Sequence, residues 1–335
     1  MEPNPIYSFI IPVYNRPEEL RDLLNALCGL KGNIPFEVIV VEDGSVRPAK
    51  EVAEAVKNSL RITYLTQSNT GPAGARNNGA KNAQGEMLIF LDSDTVIPHN
   101  YLKAVHESLQ ADPVELWGGP DKAAKDFSVI QKAINYSMTS FWTTGGIRGG
   151  KRKIDKFYPR TFNLGVSRSA FLKVEGFGPL RFGEDLDFSM RVMEQGFRSK
   201  LIPEAWVYHK RRVSWKQFFK QVYNSGMARI TLTRLHPKTL KLVHLLPSLF
   251  VISHITILVV ALIGYPHLLL LPVLYSLLIM LDAMTKGCNC TQAFCCVLAT
   301  YIQLGGYGIG FLHAFGEQII LRKDVRSLFN KSFYE

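Results

Sequence analysis

Residues 87–98 read MLIFLDSDTVIP: five apolar residues, the triplet Asp92-Ser93-Asp94, and a turn marked by Pro98. A short unbroken apolar run bounded in this way predicts a buried strand with acids at its carboxyl end. Two carboxylates one residue apart at a strand end can share a divalent cation, which in turn binds a diphosphate. Mg2+ and Mn2+ take such hard oxygen ligands and keep positions open for substrate phosphates. Asp185-Leu186-Asp187 repeats the same spacing, so the strand-end position is what sets the first copy apart.

Outward from this stretch, apolar runs predict further strands over 7–13, 37–41 and 62–65. Between them, 18–30 reads as a helix with Leu20, Leu23, Leu24 and Leu27 on one face, and 49–58 as a second. A Gly71-Pro72 turn opens a third helix that runs through Ala80. This βαβα order predicts an α/β fold with a mostly parallel sheet covered by helices. Ligands of such sheets bind beyond the carboxyl ends of the strands, and polar groups gather there. Ile10-Ile11-Pro12-Val13-Tyr14-Asn15-Arg16 closes the first strand and Val40-Val41-Glu42-Asp43-Gly44-Ser45 the second. Gly71-Pro72-Ala73-Gly74-Ala75-Arg76-Asn77 opens the third helix, where backbone N–H groups and Arg76 can face an anion. Asn163-Leu164-Gly165 and Gly183-Glu184-Asp185-Leu186-Asp187 follow downstream. The glycine-rich basic stretch 145–156 (GGIRGGKRKIDK) reads as a mobile loop, either a lid over a phosphate-bearing substrate or a plain surface loop.

The second half has another character. Residues 242–281 contain no Asp, Glu, Lys or Arg, and neither do 287–316. A helix needs about 20 apolar residues to cross a bilayer, so the first run has room for two spans and the second for one. The net charge of +11 is concentrated just before them. From 205 to 241 there is no acid, while Lys210, Arg211, Arg212, Lys216, Lys220, Arg229, Arg234, Lys238 and Lys241 are all basic. Basic charge adjoining an apolar span marks the cytoplasmic side and attracts anionic headgroups, which favours a membrane over nucleic acid as the partner. Trp215, Phe218, Phe219, Val222, Tyr223, Met227 and Ile230 recur at helical spacing, with Lys216, Lys220 and Arg229 off that stripe. This describes a helix lying in the membrane interface, the alternative being packing against the soluble domain.

A third span would put Arg322, Lys323 and Arg326 outside, against the usual charge bias. Gly305-Gly306-Tyr307-Gly308-Ile309-Gly310 is therefore read as a close-packed or re-entrant segment. No basic region followed by an apolar stretch opens the chain, so the first domain is expected in the cytosol. Cys288, Cys290, Cys295 and Cys296 read as small apolar residues of the last run rather than a metal site, and no disulfide framework is expected.

Taken in order over residues 7–209, the strand-end motifs resemble the family 2 glycosyltransferases with a GT-A fold. The resemblance implies that Pro12, Tyr14 and Asp43 hold the nucleotide base, commonly uridine. It implies that Arg76 and Asp92 lie near the ribose and diphosphate. Asp94, with Asp92, would ligate Mn2+ or Mg2+, and His209 falls where some relatives supply a further metal ligand. Asp185 matches the general base of inverting members. A sugar hydroxyl needs such a base, whereas an ionised polyprenyl phosphate does not, so Glu184-Asp185 favours a hydroxyl acceptor. The same acids can also cap the helix that begins near Leu186.

The implied protein is an inverting, metal-dependent transferase at the cytoplasmic membrane. It would move a sugar from a nucleotide-sugar donor, UDP-linked by this reading, to a lipid-linked or growing glycan. Its expected parts are a catalytic domain over 1–210 and a basic interfacial helix region over 211–241. Two or three membrane segments over 242–316 and a basic tail over 317–335 would follow. A polyprenyl-phosphate sugar synthase and, further off, a sugar nucleotidyltransferase share the donor site. A non-enzymatic membrane protein requires that no nucleotide bind. The QxxRW pattern of processive relatives is not seen near Trp215, which favours single additions. GxxxxGK[ST], HExxH and GxSxG are also missing.

Overall fold

A computed structural model describes residues 5–122, 128–144, 157–209, 214–237 and 239–323. The loop expected over 145–156 and the tail beyond 323 lie outside the described residues. In chain order the elements are β1 (Tyr7–Val13), α1 (Pro17–Cys28), β2 (Phe36–Asp43), α2 (Lys50–Glu54), β3 (Ile62–Gln67), α3 (Gly71–Asn82), β4 (Met87–Leu91) and β5 (Thr95–Val96). There follow α4 (Tyr101–Ala111), β6 (Leu116–Gly118), β7 (Asp121–Lys122), α5 (Val129–Thr139), α6 (Phe141–Thr144), β8 (Asn163–Ser167), α7 (Arg168–Lys173), α8 (Glu184–Glu194), β9 (Ser199–Leu201) and β10 (Val207–His209). The last helices are α9 (Trp215–Leu235), α10 (Leu246–Leu262), α11 (Leu270–Thr285) and α12 (Cys290–Phe315). They form two compact units, one from 5–122 and 157–209, the other from 128–144, 214–237 and 239–323.

In the first unit seven strands pair in the order β3-β2-β1-β4-β8-β6-β9. The first four are mutually parallel. β8 runs antiparallel to both its neighbours, so the sheet is mixed and mostly parallel, the GT-A arrangement. A separate ribbon pairs β5, β10 and β7. Alternate β1 residues feed opposite faces: Phe9 and Ile11 join one core with Leu20, Leu24, Tyr101 and Trp117, and Ile10 joins the other with Val41, Phe90 and Phe188. Burial on both faces explains why these strands read as unbroken apolar runs rather than alternating ones.

Local chemistry sets the departures from expectation. The helix expected over 49–58 ends at Glu54, where the N–H groups of Val56 and Lys57 turn to carbonyls three residues back. Gly79 lets α3 lie tight on the sheet, since a Cβ there would sit 2.5 Å from the Ile10 side chain. The Asn163-Leu164-Gly165 motif is structural. Fully buried Asn163 accepts from the Tyr101 hydroxyl at 2.6 Å and donates to the Ala205 carbonyl at 2.7 Å. A Cβ on Gly165 would lie 2.0 Å from the Trp117 ring.

The second unit is built around α12, on which α5, α9, α10 and α11 all pack. Residues 128–144 were expected in the first domain. They group here because Ala133, Ile134 and Met138 share a buried cluster with Ala293, Cys296 and Ala299 of α12. The Tyr136 hydroxyl donates to Asp282 at 2.5 Å. Two helical stretches, Pro266–Thr285 and Cys290–Ile320, are long and apolar enough to cross a membrane, and Leu246–Leu262 is a shorter apolar helix. Along α10 and α11, Leu249, Ile252, Ile255, Val273, Leu274 and Leu277 are exposed. All five thiols are free.

Two readings change. The aromatic stripe of α9 is largely covered: Phe218, Val222, Met227 and Ile230 are buried in clusters with residues of α12. The glycine-rich stretch of α12 is unbroken helix, not a re-entrant loop. Its glycines permit backbone contact with two neighbours. A Cβ on Gly310 would lie 2.1 Å from the Tyr223 carbonyl oxygen of α9, and one on Gly308 2.3 Å from that of Pro247 of α10.

Candidate active site

The carboxyl ends of β1 and β2 are stapled to each other by side chains. Asn15 takes up a left-handed backbone conformation (φ 54°). Its N–H donates to Ser45 Oγ at 2.7 Å, and its Oδ1 accepts from the N–H groups of Val46 and Arg47 at 2.9 and 3.0 Å. Buried Glu42 holds the same loop, accepting from Ala49 N and the Tyr64 hydroxyl at 2.7 Å each and from the Ser45 hydroxyl. Pro12 and Tyr14 sit half-buried at this edge.

Asp43, expected at the nucleotide base, caps α3. Its Oδ1 accepts from Thr70 N at 2.9 Å and from Gln67 Nε2 at 2.8 Å, and its Oδ2 from Gly71 N at 2.9 Å. A carboxylate there satisfies otherwise orphaned N–H groups and complements the positive end of the helix dipole. The neighbouring Thr70 makes no cap bond of its own. Base contact by Asp43 must use what this capping leaves.

Arg76 occupies the centre of the site and is 3% exposed. Its Nη2 donates to Asp92 Oδ1 at 2.7 Å and its Nη1 to Glu184 Oε1 at 3.3 Å. Burial opposes its charge, but Asp92 and Glu184 outweigh that and hold its pKa above the ordinary arginine value. The resemblance placed Arg76 beside the donor. The structure turns both terminal nitrogens to carboxylates of the chain itself.

Asp94 pairs with Arg16 from the loop after β1. The two side chains are unequally covered, 14% exposed for Asp94 and 38% for Arg16. Strand register sets His209 opposite Thr95, immediately after Asp94, while the His209 side chain lies outside the described residues. Among the described residues no third acid, histidine or cysteine joins Asp92 and Asp94 as a metal group. Two hard carboxylates with the remaining positions left to water and phosphate is the donor set that Mg2+ and Mn2+ accept.

The fourth corner is the start of α8. Gly183 adopts the left-handed conformation (φ 79°) that turns the chain into the helix, and Glu184, Asp185 and Asp187 fill its first turn. Their placement suits the helix dipole, but Gly183 is the N-cap and no side chain caps the helix, so the acids expected to cap a helix near Leu186 are first-turn residues instead. Asp187 is tied to Arg191 at 2.9 Å. Asp185 Oδ1 accepts from Leu186 N at 2.8 Å and from Arg160 Nη1 at 3.3 Å, and its Oδ2 takes no hydrogen bond among the described residues. Burial, helped by the adjacent Asp185, pushes the Glu184 carboxyl up to about 7 against the pull of Arg76. Of the groups found here, Arg160 has no sequence signal, whereas Arg16 stands directly after Tyr14-Asn15 in a motif already singled out.

Residues 8–174 match the family described as Glycosyl transferase family 2. An uncharacterized glycosyltransferase of Rickettsia bellii is 41% identical over 100 residues, covering 29% of this chain and 14% of the relative. The minor teichoic acid biosynthesis protein GgaA of Bacillus subtilis is 30% identical over 160 residues, covering 45% of this chain and 31% of GgaA. The chain thus spans under a third of these relatives' own length. Among solved structures, the mannosyltransferase PcManGT of Pyrobaculum calidifontis, in complex with GDP-Man and Mn2+, superposes with a TM-score of 0.62. Identity there is 16%, over 91% of this chain and 88% of PcManGT, a likeness of fold. With paired acids beyond β4, further acids opening α8 and the matching region spanning both motif-bearing strands and β8, the chain belongs to the family 2 glycosyltransferases.

Proposed function

We propose that the chain is an inverting, divalent-metal-dependent transferase that moves a sugar from a nucleotide-sugar to a hydroxyl of a lipid-linked or growing glycan at a membrane. The observation that carries this is the Asp92–Arg76–Glu184 bridge. It joins a pair of carboxylates suited to a metal and diphosphate to the acid-rich start of α8. Donor and acceptor chemistry then meet across one buried guanidinium.

Asp92 and Asp94 would hold Mn2+ or Mg2+, which when bound neutralises charge developing on the leaving diphosphate. Asp185 is the general base in this reading. Its Oδ2 is the oxygen left to take the acceptor's hydroxyl proton as the acceptor oxygen bonds to the anomeric carbon and the bond to the departing nucleoside diphosphate breaks. Burial pushes the Glu184 carboxyl up to about 7, but it is bonded to the buried Arg76 that also holds Asp92, so this reading assigns the base to Asp185. Arg160 Nη1 donates to Asp185 Oδ1 at 3.3 Å and helps to fix the carboxylate in place. Pro12, Tyr14 and what Asp43 leaves open would receive the base.

GDP-Man with Mn2+ is the ligand set of PcManGT, and the name of GgaA places it in teichoic acid synthesis. UDP remains the expected nucleotide. Two helices of spanning length, exposed apolar residues along α10 and α11 and the basic run before them support a cytoplasmic membrane location with the catalytic unit on the cytosolic side. Asp94→Ala should abolish transfer from a panel of nucleotide-sugars while leaving the circular dichroism spectrum unchanged. Full activity of that variant in metal-depleted buffer sinks the mechanism. Asp185→Asn should lose more than 100-fold on a hydroxyl acceptor. Near-normal transfer to a polyprenyl phosphate by that variant would instead favour a polyprenyl-phosphate sugar synthase.

A further inference from the structure

Two arginines neutralise the paired acids beyond β4, and they are built differently. Arg76 is almost fully buried and bonded to two carboxylates at once. Leaving either one would strand a charge in a dry site. Arg16 is 38% exposed, and among the described residues its guanidinium bonds no side chain other than Asp94. Its main chain is held by the Asn15–Ser45 staple and by the first α1 turn, where its carbonyl accepts from Leu20 N at 3.1 Å. The backbone is therefore pinned while the side chain can swing.

We propose, resting on the donor reading above, that Arg16 is an exchangeable counter-ion and a positioning residue for the donor. Without metal it occupies Asp94. When the divalent cation takes the Asp94 carboxylate, the displaced guanidinium turns to the incoming diphosphate. Charge supports the exchange. The described cluster sets Asp92, Asp94, Glu184 and Asp185 against Arg16, Arg76 and Arg160. A divalent cation and a diphosphate bridge add nearly equal and opposite charges, so the total is kept while Arg16 changes partner. Planar, bidentate recognition of phosphate is what a guanidinium does best. Asp94 and Arg16 lie at the ends of adjacent parallel strands, β4 and β1, so the swing spans one side-chain length. Metal and donor thereby become mutually dependent: the ion alone competes with Arg16, and the diphosphate relieves the competition.

The test compares wild type, Arg16→Gln and Arg16→Lys as full-length protein in detergent, with no turnover required. Mn2+ binding alone is read from the electron paramagnetic resonance signal of free ion, and UDP and GDP binding in saturating Mn2+ by calorimetry. Arg16→Gln should bind Mn2+ alone three- to tenfold more tightly, and the nucleoside diphosphate about tenfold more weakly. Arg16→Lys should fall between in both. Mn2+ affinity that is unchanged or weaker in Arg16→Gln, or unchanged diphosphate affinity, overturns the exchange. A wild type that binds neither UDP nor GDP with Mn2+, as Asp94→Ala should, overturns the donor reading itself, so the two failures are distinguishable.

Discussion

Replacing Arg76 tests the centre of the site by removing the one cation that both sides of it share. Arg76→Met keeps much of the volume and the contact with Phe177, whose ring lies 5.7 Å from the guanidinium carbon. Breaking a buried ion pair by deleting one partner costs about 3–5 kcal/mol. Two features lower that here. The Asp92 side chain is 31% exposed and can be rehydrated, and the Glu184 carboxyl, already pushed up to about 7, can simply keep its proton. The loss should therefore depend on pH. Near pH 6 Glu184 is protonated with or without Arg76, and the cost falls to about 1–2 kcal/mol. At pH 8 the wild type has an ionised, paired Glu184 that the variant cannot hold, and the cost rises to about 2–4 kcal/mol. For a unit of this size each kcal/mol is worth roughly 2–4 °C. Thermal unfolding followed by circular dichroism should then show a drop of roughly 4–16 °C at pH 8 and about half that at pH 6. Arg76→Lys should recover only part, because a point charge serves one carboxylate at a time. Melting within about 1 °C of wild type at both pH values, or a larger loss at pH 6, would refute the assigned bridge.

Two further outcomes follow from the same geometry. Glu184 has a folded-state pKa of about 7, above its ordinary value of 4.5, so the wild type sheds stability as pH rises from about 4.5 through 7. Glu184→Gln should flatten that slope, read as the difference in Tm between pH 5 and pH 8, and an unaltered slope would show that the group titrates normally. In the helical unit, Gly310→Leu drives a side chain into the α9 backbone, where no rotamer gives relief. The overpacking should cost at least about 1–3 kcal/mol and lower the melting temperature in detergent. Gly305→Leu, with nothing within 4 Å of the added Cβ, should melt like wild type, and equal effects of the two would remove the crossing from consideration.

Much of the fold is legible in the sequence because each strand is short, apolar throughout and ended by polar residues. The run Leu88–Leu91 could hardly face water on either side, and both sheet faces bury it. The helix expected through Asn58 fails for a local reason, since beyond Glu54 the hydrogen bonds tighten to the three-residue spacing of a turn. The α9 stripe misleads for a deeper one. An aromatic face at helical spacing has the same pattern whether lipid or another helix covers it. The discriminating residue is Gly226, where a Cβ would meet the Tyr307 carbonyl at 2.1 Å. A glycine inside a 21-residue helix is costly unless something must approach closely, so its presence in the stripe is the mark of a partner helix rather than of lipid.

The candidate site is legible as a list of acids and illegible as a circuit, and the reason is sequence separation. Asp92 finds its cation 16 positions back and Asp94 finds its own 78 back, while Glu184 answers to Arg76 across 108. No periodicity links such residues; the fold gathers them, with β1 to β4 delivering their carboxyl ends to one edge and the start of α8 meeting them there through Arg76. What each acid can do is then decided by its partner rather than by its motif. Asp43 carries the motif expected of a nucleotide contact, yet its carboxylate is taken up by Thr70 and Gly71 at the entrance of α3 and by Gln67 at the end of β3. Asp187 completes an Asp-Leu-Asp triplet and is consumed by Arg191. Asp185 keeps one oxygen free of hydrogen bonds among the described residues. A base must have a lone pair to offer, and that criterion leaves Asp185 beside Glu184, whose Oε2 likewise takes no hydrogen bond among the described residues; what separates the two is the partner, the buried Arg76 for Glu184 and the part-exposed Arg160 for Asp185.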